Sequence, residues 1–243
     1  MKDIQNLRDD RRIGIRKVGV RRISYPVTVL DKARQLQQTV ATVNMYVNLP
    51  HRFKGTHMSR FVEILNRFHG EFNLHRFHQI LQEMKNRLDA EAAHLEIAFP
   101  YFLQQSARTG SGVGDRYECS MHGSLDRQDD LVMEIQVPIT LPRDLHASGG
   151  LPRSIGRWGT ARVSVRFNQF VWIEDLIKMI EEGLACREKL PDSVESACRQ
   201  LAAVLAESEA IGWFRVIVEN LAEGYATFAS IQSHQHEERR GEE

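Results

Sequence analysis

Cysteine is scarce in this chain: 243 residues hold three, Cys119, Cys186 and Cys198, with no Cys-x-x-Cys pair among them. That excludes a disulfide framework and a thiolate zinc cluster, and it fits a reducing, cytoplasmic setting. Net charge is also missing. Lysine plus arginine total 32, as do aspartate plus glutamate, so no overall field draws the chain to nucleic acid or to an anionic membrane. No apolar run approaches the roughly 20 residues of a membrane span, and the start, Met1-Lys-Asp-Ile-Gln-Asn, has no signal-peptide core.

What is present is an alternation of short β patterns and amphipathic helices. Val18 to Ile23, Tyr25 to Leu30 and Thr39 to Leu49 read as strands, the last apolar at Val43, Met45, Val47 and Leu49. A helix follows, opened by Lys54-Gly-Thr-His-Met-Ser-Arg-Phe-Val-Glu63. Thr56 or Ser59 is its expected N-cap, and Phe61, Val62 and Leu65 form its buried face. A second helix runs from about Leu74 to Leu88, and strands from Leu95 to Phe102 and from Asp115 to Gly123 complete the half. The second half repeats the order. Strands at Leu131 to Thr140 and Thr160 to Asn168 precede helices at Phe170 to Glu182 and Ser193 to Glu207, and a strand pair, Trp213 to Asn220 and Tyr225 to Ile231, closes it.

The expected class is therefore α+β, with two ββααββ units, each an antiparallel sheet with a helix pair on one face. The expected divisions are an arm at 1–12, units at 13–125 and 126–232, and a charged tail at 233–243. Such units leave open sheet edges, so closure against other copies of the chain is expected.

Five motifs carry a resemblance. Asp3-Ile-Gln-Asn with Ile15-x-x-Val-Gly-Val20, Thr39-Val-Ala-Thr-Val-Asn-Met-Tyr-Val, Lys54 to Glu63, Ala93-His-Leu-Glu96 with Phe99-Pro-Tyr-Phe102, and Phe170-Val-Trp-Ile-Glu174 together resemble the type IB GTP cyclohydrolases. The resemblance implies a tandem T-fold, or tunnelling fold, whose sheets form a barrel in a homotetramer. It implies conversion of GTP to dihydroneopterin triphosphate and formate in pterin and folate synthesis, or action on a related pteridine. It also implies a divalent metal, zinc, manganese or iron, that activates a water.

The family's metal ligands are a cysteine, a histidine, a glutamate and a His-x-His pair. At or near those positions this chain has Arg143, Arg157, Ser193 and Tyr225, and an arginine cannot ligate a cation. The expectation is thus a divergent member without the family's metal ligands, with His146, Glu223 and Cys119 as conceivable substitutes. Glu219 matches the carboxylate that anchors the purine or pterin ring through paired hydrogen bonds. His57 and His146 are the candidate catalytic residues, and Arg60, Arg143 and Arg157 the candidate substrate contacts. The alternative is a non-hydrolytic pterin- or nucleotide-binding paralogue with a regulatory or structural role. His94 also matches a family position, where a structural histidine is expected. Cys119 and His122, three apart on a strand, are expected on opposite faces, one in the core and one at the surface.

Overall fold

The computed structural model describes residues 15–32, 35–49, 57–68, 74–103, 115–126, 129–139, 159–184, 191, 193–222 and 225–234. These form β1 (Ile15–Asp31), β2 (Gln35–Leu49), α1 (Met58–Arg67), α2 (Leu74–Arg87), β3 (Ala92–Leu103) and β4 (Asp115–Leu125). They continue as β5 (Asp129–Ile139), β6 (Gly159–Phe167), α3 (Ile173–Leu184), α4 (Val194–Ala206), β7 (Ile211–Ala222) and β8 (Tyr225–Gln232). The chain divides into two compact units, Met1–Met133 and Glu134–Glu243, so the division falls inside β5. The sequence placed it earlier, at 125/126.

The fold expectation needs correction. Two ββααββ units with separate antiparallel sheets do not describe the arrangement: the strands follow chain order, β1 to β8, in one eight-stranded sheet, with only four helices among the described residues. The reason lies in the chain between β4 and β5. Strand β5 starts four positions after Leu125, and a strand following so closely pairs with the edge that β4 leaves open and starts no new sheet.

In the first unit, alternate residues make the core. Val43, Met45 and Val47 of β2, Leu95, Ile97 and Phe99 of β3, and Tyr117 and Cys119 of β4 are buried. α2 lies over β3 and β4 and contributes Phe77, Ile80, Leu81 and Met84, each at most 1% exposed. Burying such a side chain is worth roughly 1.5–3 kcal/mol. α1 buries Phe61, Ile64 and Leu65, while Val62, expected on that face, is exposed. Its N-cap is His57, which makes no side-chain cap bond, so the Thr56 or Ser59 cap is corrected.

In the second unit, Ala161, Val163 and Val165 of β6 and Phe214, Val216 and Val218 of β7 face the helices. α4 lies over β7 and β8, and α3 packs on α4. Ser193 caps α4 by accepting a hydrogen bond from the Ser196 amide at 3.1 Å. Among the described residues no helix is long and apolar enough to cross a membrane.

Candidate functional site

Because side chains alternate across a strand, the residues between the core positions gather on the sheet face turned away from each unit's helices. Both faces are polar.

In the first unit the centre is Glu96 on β3. Asn44 of β2 donates its amide to Glu96 Oε2 at 2.8 Å, and the Tyr46 hydroxyl donates to Oε1 at 3.0 Å. The Tyr46 ring stacks on His94 with centroids 4.7 Å apart, and Lys17 Nζ lies 3.5 Å from the centroid of the same ring. Across β4, His122 is the register partner of Glu96, and its Nε2 is 2.9 Å from Ser120 Oγ.

Two backbone features of β1 hold this arrangement. Gly19 pairs with Tyr46, and a Cβ there would lie 1.9 Å from the Met45 carbonyl oxygen, so only glycine allows the close approach. The register slips between Val20 and Ile23, where Arg22 adopts φ 58°. Arg22 then donates its amide to Asn44 Oδ1 at 2.9 Å, which leaves the Asn44 amide aimed at Glu96. Bulges of this kind re-aim side chains and are common beside functional sites.

The protonation states follow. Burial pushes the Glu96 carboxyl up, but the donors Asn44 and Tyr46 and then the nearby His122 and Lys17 outweigh it and hold it below the ordinary range. Burial, with the Lys17 charge second, pulls the His94 imidazole down. Burial and then the bond to Glu96 raise the Tyr46 hydroxyl to about 12. At neutral pH the centre is a fixed carboxylate beside a neutral imidazole and a protonated phenol, able to accept an N–H or to pass a proton.

In the second unit the outward face of β6 carries Thr160, Arg162, Ser164 and Arg166, and that of β7 carries Trp213, Arg215, Ile217 and Glu219, paired across the register. Glu134 of β5 lies among them. It accepts a hydrogen bond from the Ser164 hydroxyl at 2.9 Å and stands 3.7 Å from Arg162 Nε and 3.8 Å from Arg215 Nη2. The Arg166 guanidinium sits 4.4 Å from the Trp213 ring centroid, a cation–π contact.

Three comparisons with known proteins bear on this geometry. The family profile described as Type I GTP cyclohydrolase folE2 matches residues 1–142. Relatives named GTP cyclohydrolase FolE2 align along almost the whole chain. The one from Syntrophotalea carbinolica is 42% identical over 96% of this chain and 92% of its own length. That from Geobacter sulfurreducens is 43% identical over 96% and 95%. The chain belongs to the FolE2 GTP cyclohydrolase family.

Membership is what these matches carry, and they do not set the chain apart as a divergent branch of FolE2. Among solved structures, the likeness is to uricases. That of Arthrobacter globiformis gives a TM-score of 0.57 at 11% identity over 93% of this chain and 96% of its own. That of Bacillus fastidious gives 0.61 at 8% identity over 90% and 93%. At such identities the likeness shows the fold alone.

Of the residues singled out in the sequence, His57 and Arg60 stand together at the start of α1, where the Arg60 amide donates to the His57 carbonyl at 3.2 Å. Glu219 lies in the second unit, half-buried on β7, opposite Thr160 of β6 and Phe228 of β8. His146, Arg143, Arg157 and Glu223 lie outside the described residues. Cys119 is 2% exposed in the core, where burial pushes its thiol up, and His122 is exposed on the opposite face. Ser193 is occupied as a cap, and Tyr225 is 67% exposed at the start of β8.

The sequence reading missed Asn44, Tyr46, Glu134, Arg162 and Arg215. The signal was present. Once β2 is a strand with Val43, Met45 and Val47 inward, Asn44 and Tyr46 must share the other face, and Glu96 sits in a motif quoted for the family.

Proposed function

We propose that this chain is a GTP cyclohydrolase that converts GTP to dihydroneopterin triphosphate and formate in pterin and folate synthesis. The observation that carries the reading is identity above 40%, over nearly the full length, with proteins named GTP cyclohydrolase FolE2. Glu219 anchors the guanine edge by accepting from the ring N–H and the exocyclic amine. Its position on an outward, half-buried strand face supports this, since a partly desolvated carboxylate discriminates best between donors and non-donors. His57 transfers a proton, and Arg60 contacts the substrate from the first turn of α1. His146, Arg143 and Arg157, which lie in sequence between β5 and β6, are further candidates for catalysis and substrate contact. The assembly is a cytoplasmic homotetramer. The end strands β1 and β8, with Tyr225 and Phe228 exposed on β8, supply edges for pairing between copies.

The family's metal is a separate matter. Among the described residues no group of three or more His, Cys, Asp or Glu is placed to hold a metal ion, and none of them is assigned a metal-dependent step. The alternative is a paralogue that binds pterin or nucleotide without hydrolysis. Purified protein loaded in turn with zinc, manganese and iron(II), then given GTP, separates the two. Formate release that falls at least tenfold in Glu219→Ala supports the cyclohydrolase. Guanine or pterin binding lost in that variant, with no formate from the parent chain, supports the paralogue.

A further inference from the structure

We propose that Arg162 and Arg215, flanked by Arg166, form a subsite for the polyphosphate chain of a nucleotide. The proposal rests on the reading of Glu219 as the anchor of the base, and it assigns the other end of the same ligand.

The placement comes from the register. Arg162 pairs with Ile217 and Ser164 with Arg215, so both arginines share the outward face that carries Glu219. From Glu219 to Arg215 is four residues along β7, roughly 13 Å at strand rise. An extended nucleoside triphosphate covers that span from the edge of its base to its terminal phosphates. Arg162 falls between the two ends on the neighbouring strand.

The charges are unequal. Arginine stays protonated throughout the working pH range, and two of them, Arg162 and Arg215, share one carboxylate, Glu134. Glu134 is spread thinly: one oxygen is 3.7 Å from Arg162, while the other accepts from Ser164 and lies 3.8 Å from Arg215. Both distances exceed a good charge-assisted hydrogen bond, so neither guanidinium fork is saturated. Arg215 Nε is buried and makes no hydrogen bond among the described residues. Opposite Arg215 on β8 stands Gln232, with Ser230 two residues away, and β8 contains no acidic residue. Trp213 beneath Arg166 fixes that side chain by cation–π contact.

An oligophosphate presents planar groups of acceptor oxygens that match guanidinium forks bidentately. It would supply the acceptors that Glu134 alone does not. A nucleic-acid backbone is the weaker fit, because the chain as a whole has no net charge and the arginines occupy one short strand pair.

The test is calorimetric titration of the full chain with inorganic tripolyphosphate, guanosine and GTP. The parent protein should bind all three. Arg162→Gln/Arg215→Gln should weaken tripolyphosphate and GTP about tenfold or more and leave guanosine within about twofold, while Glu219→Ala should weaken guanosine and GTP and leave tripolyphosphate within about twofold. Parent-like tripolyphosphate binding by a folded double variant overturns the proposal, as does a parent protein that does not bind tripolyphosphate. If circular dichroism shows the double variant unfolded, Arg215→Gln alone decides with the same ligands. Guanosine binding that survives Glu219→Ala removes the anchor reading, while loss of tripolyphosphate binding in the arginine variant still supports the subsite.

Discussion

Replacing Tyr46 by phenylalanine removes one hydroxyl and little else. The ring remains to stack on His94 and to lie under Lys17, so the variant isolates the donation to Glu96 Oε1 at 3.0 Å. A hydrogen bond to a charged group is worth about 1.5–3 kcal/mol in a buried setting. Both side chains are only half-buried, and water replaces part of the loss, so about 1 kcal/mol is expected at pH 7. The pH dependence is the sharper part. Glu96 titrates below its ordinary range in the folded chain. Its contribution is therefore present above the unfolded pKa and is lost as pH falls through the folded one. Tyr46→Phe raises the folded pKa back toward the ordinary value, so its cost should be largest near neutrality and shrink in acid. Urea unfolding of both proteins at pH 7 and at about pH 3 measures this. A loss that is absent at pH 7, or equally large in acid, refutes the assignment of Tyr46 as a donor that holds Glu96 ionised.

Three further outcomes are expected. Tyrosinate absorbance followed against pH should include a late phase near 12 that Tyr46→Phe removes, because Tyr46 is raised. The associated stability is present below about pH 10 and lost as pH rises through 12, and Glu96→Gln should bring this phase down. Gly123→Ala places a Cβ 2.2 Å from a Phe77 ring carbon and should cost about 1–3 kcal/mol by thermal unfolding, with Phe77→Leu/Gly123→Ala less destabilised than the sum of the single changes. Ser193→Ala removes the α4 cap and should cost about 1 kcal/mol in urea, with GTP affinity unchanged.

Most strands and helices were legible because their apolar residues alternate or recur at helical spacing. Strand β2 shows the clearest case, buried at Ala41, Val43, Met45, Val47 and Leu49. What failed was what local pattern does not encode. Whether β5 extends the sheet of β4 or starts another is a matter of edge pairing, and that overturned the two-sheet expectation. The join of Val18–Ile23 to Tyr25–Leu30 into one 17-residue strand depends on a bulge at Arg22, which has no signature in that residue type. Pro100 sits inside β3, where a proline ordinarily argues against a continuing strand. For the candidate site, motifs in the sequence pointed to His57, Arg60 and Glu219, while the Glu96 network was not singled out. The Glu96 network joins residues from β1, β2, β3 and β4, and the shared acceptor Glu134 lies nearly 30 residues from Arg162, so these partners meet only through strands distant in sequence.

The central claim is the reaction, and formate is its most direct reporter. The full chain, incubated with GTP in the presence of zinc, manganese or iron(II), should release formate in step with a product that oxidises to a fluorescent neopterin. GTP that binds yet yields no formate under any of these conditions would contradict the cyclohydrolase reading.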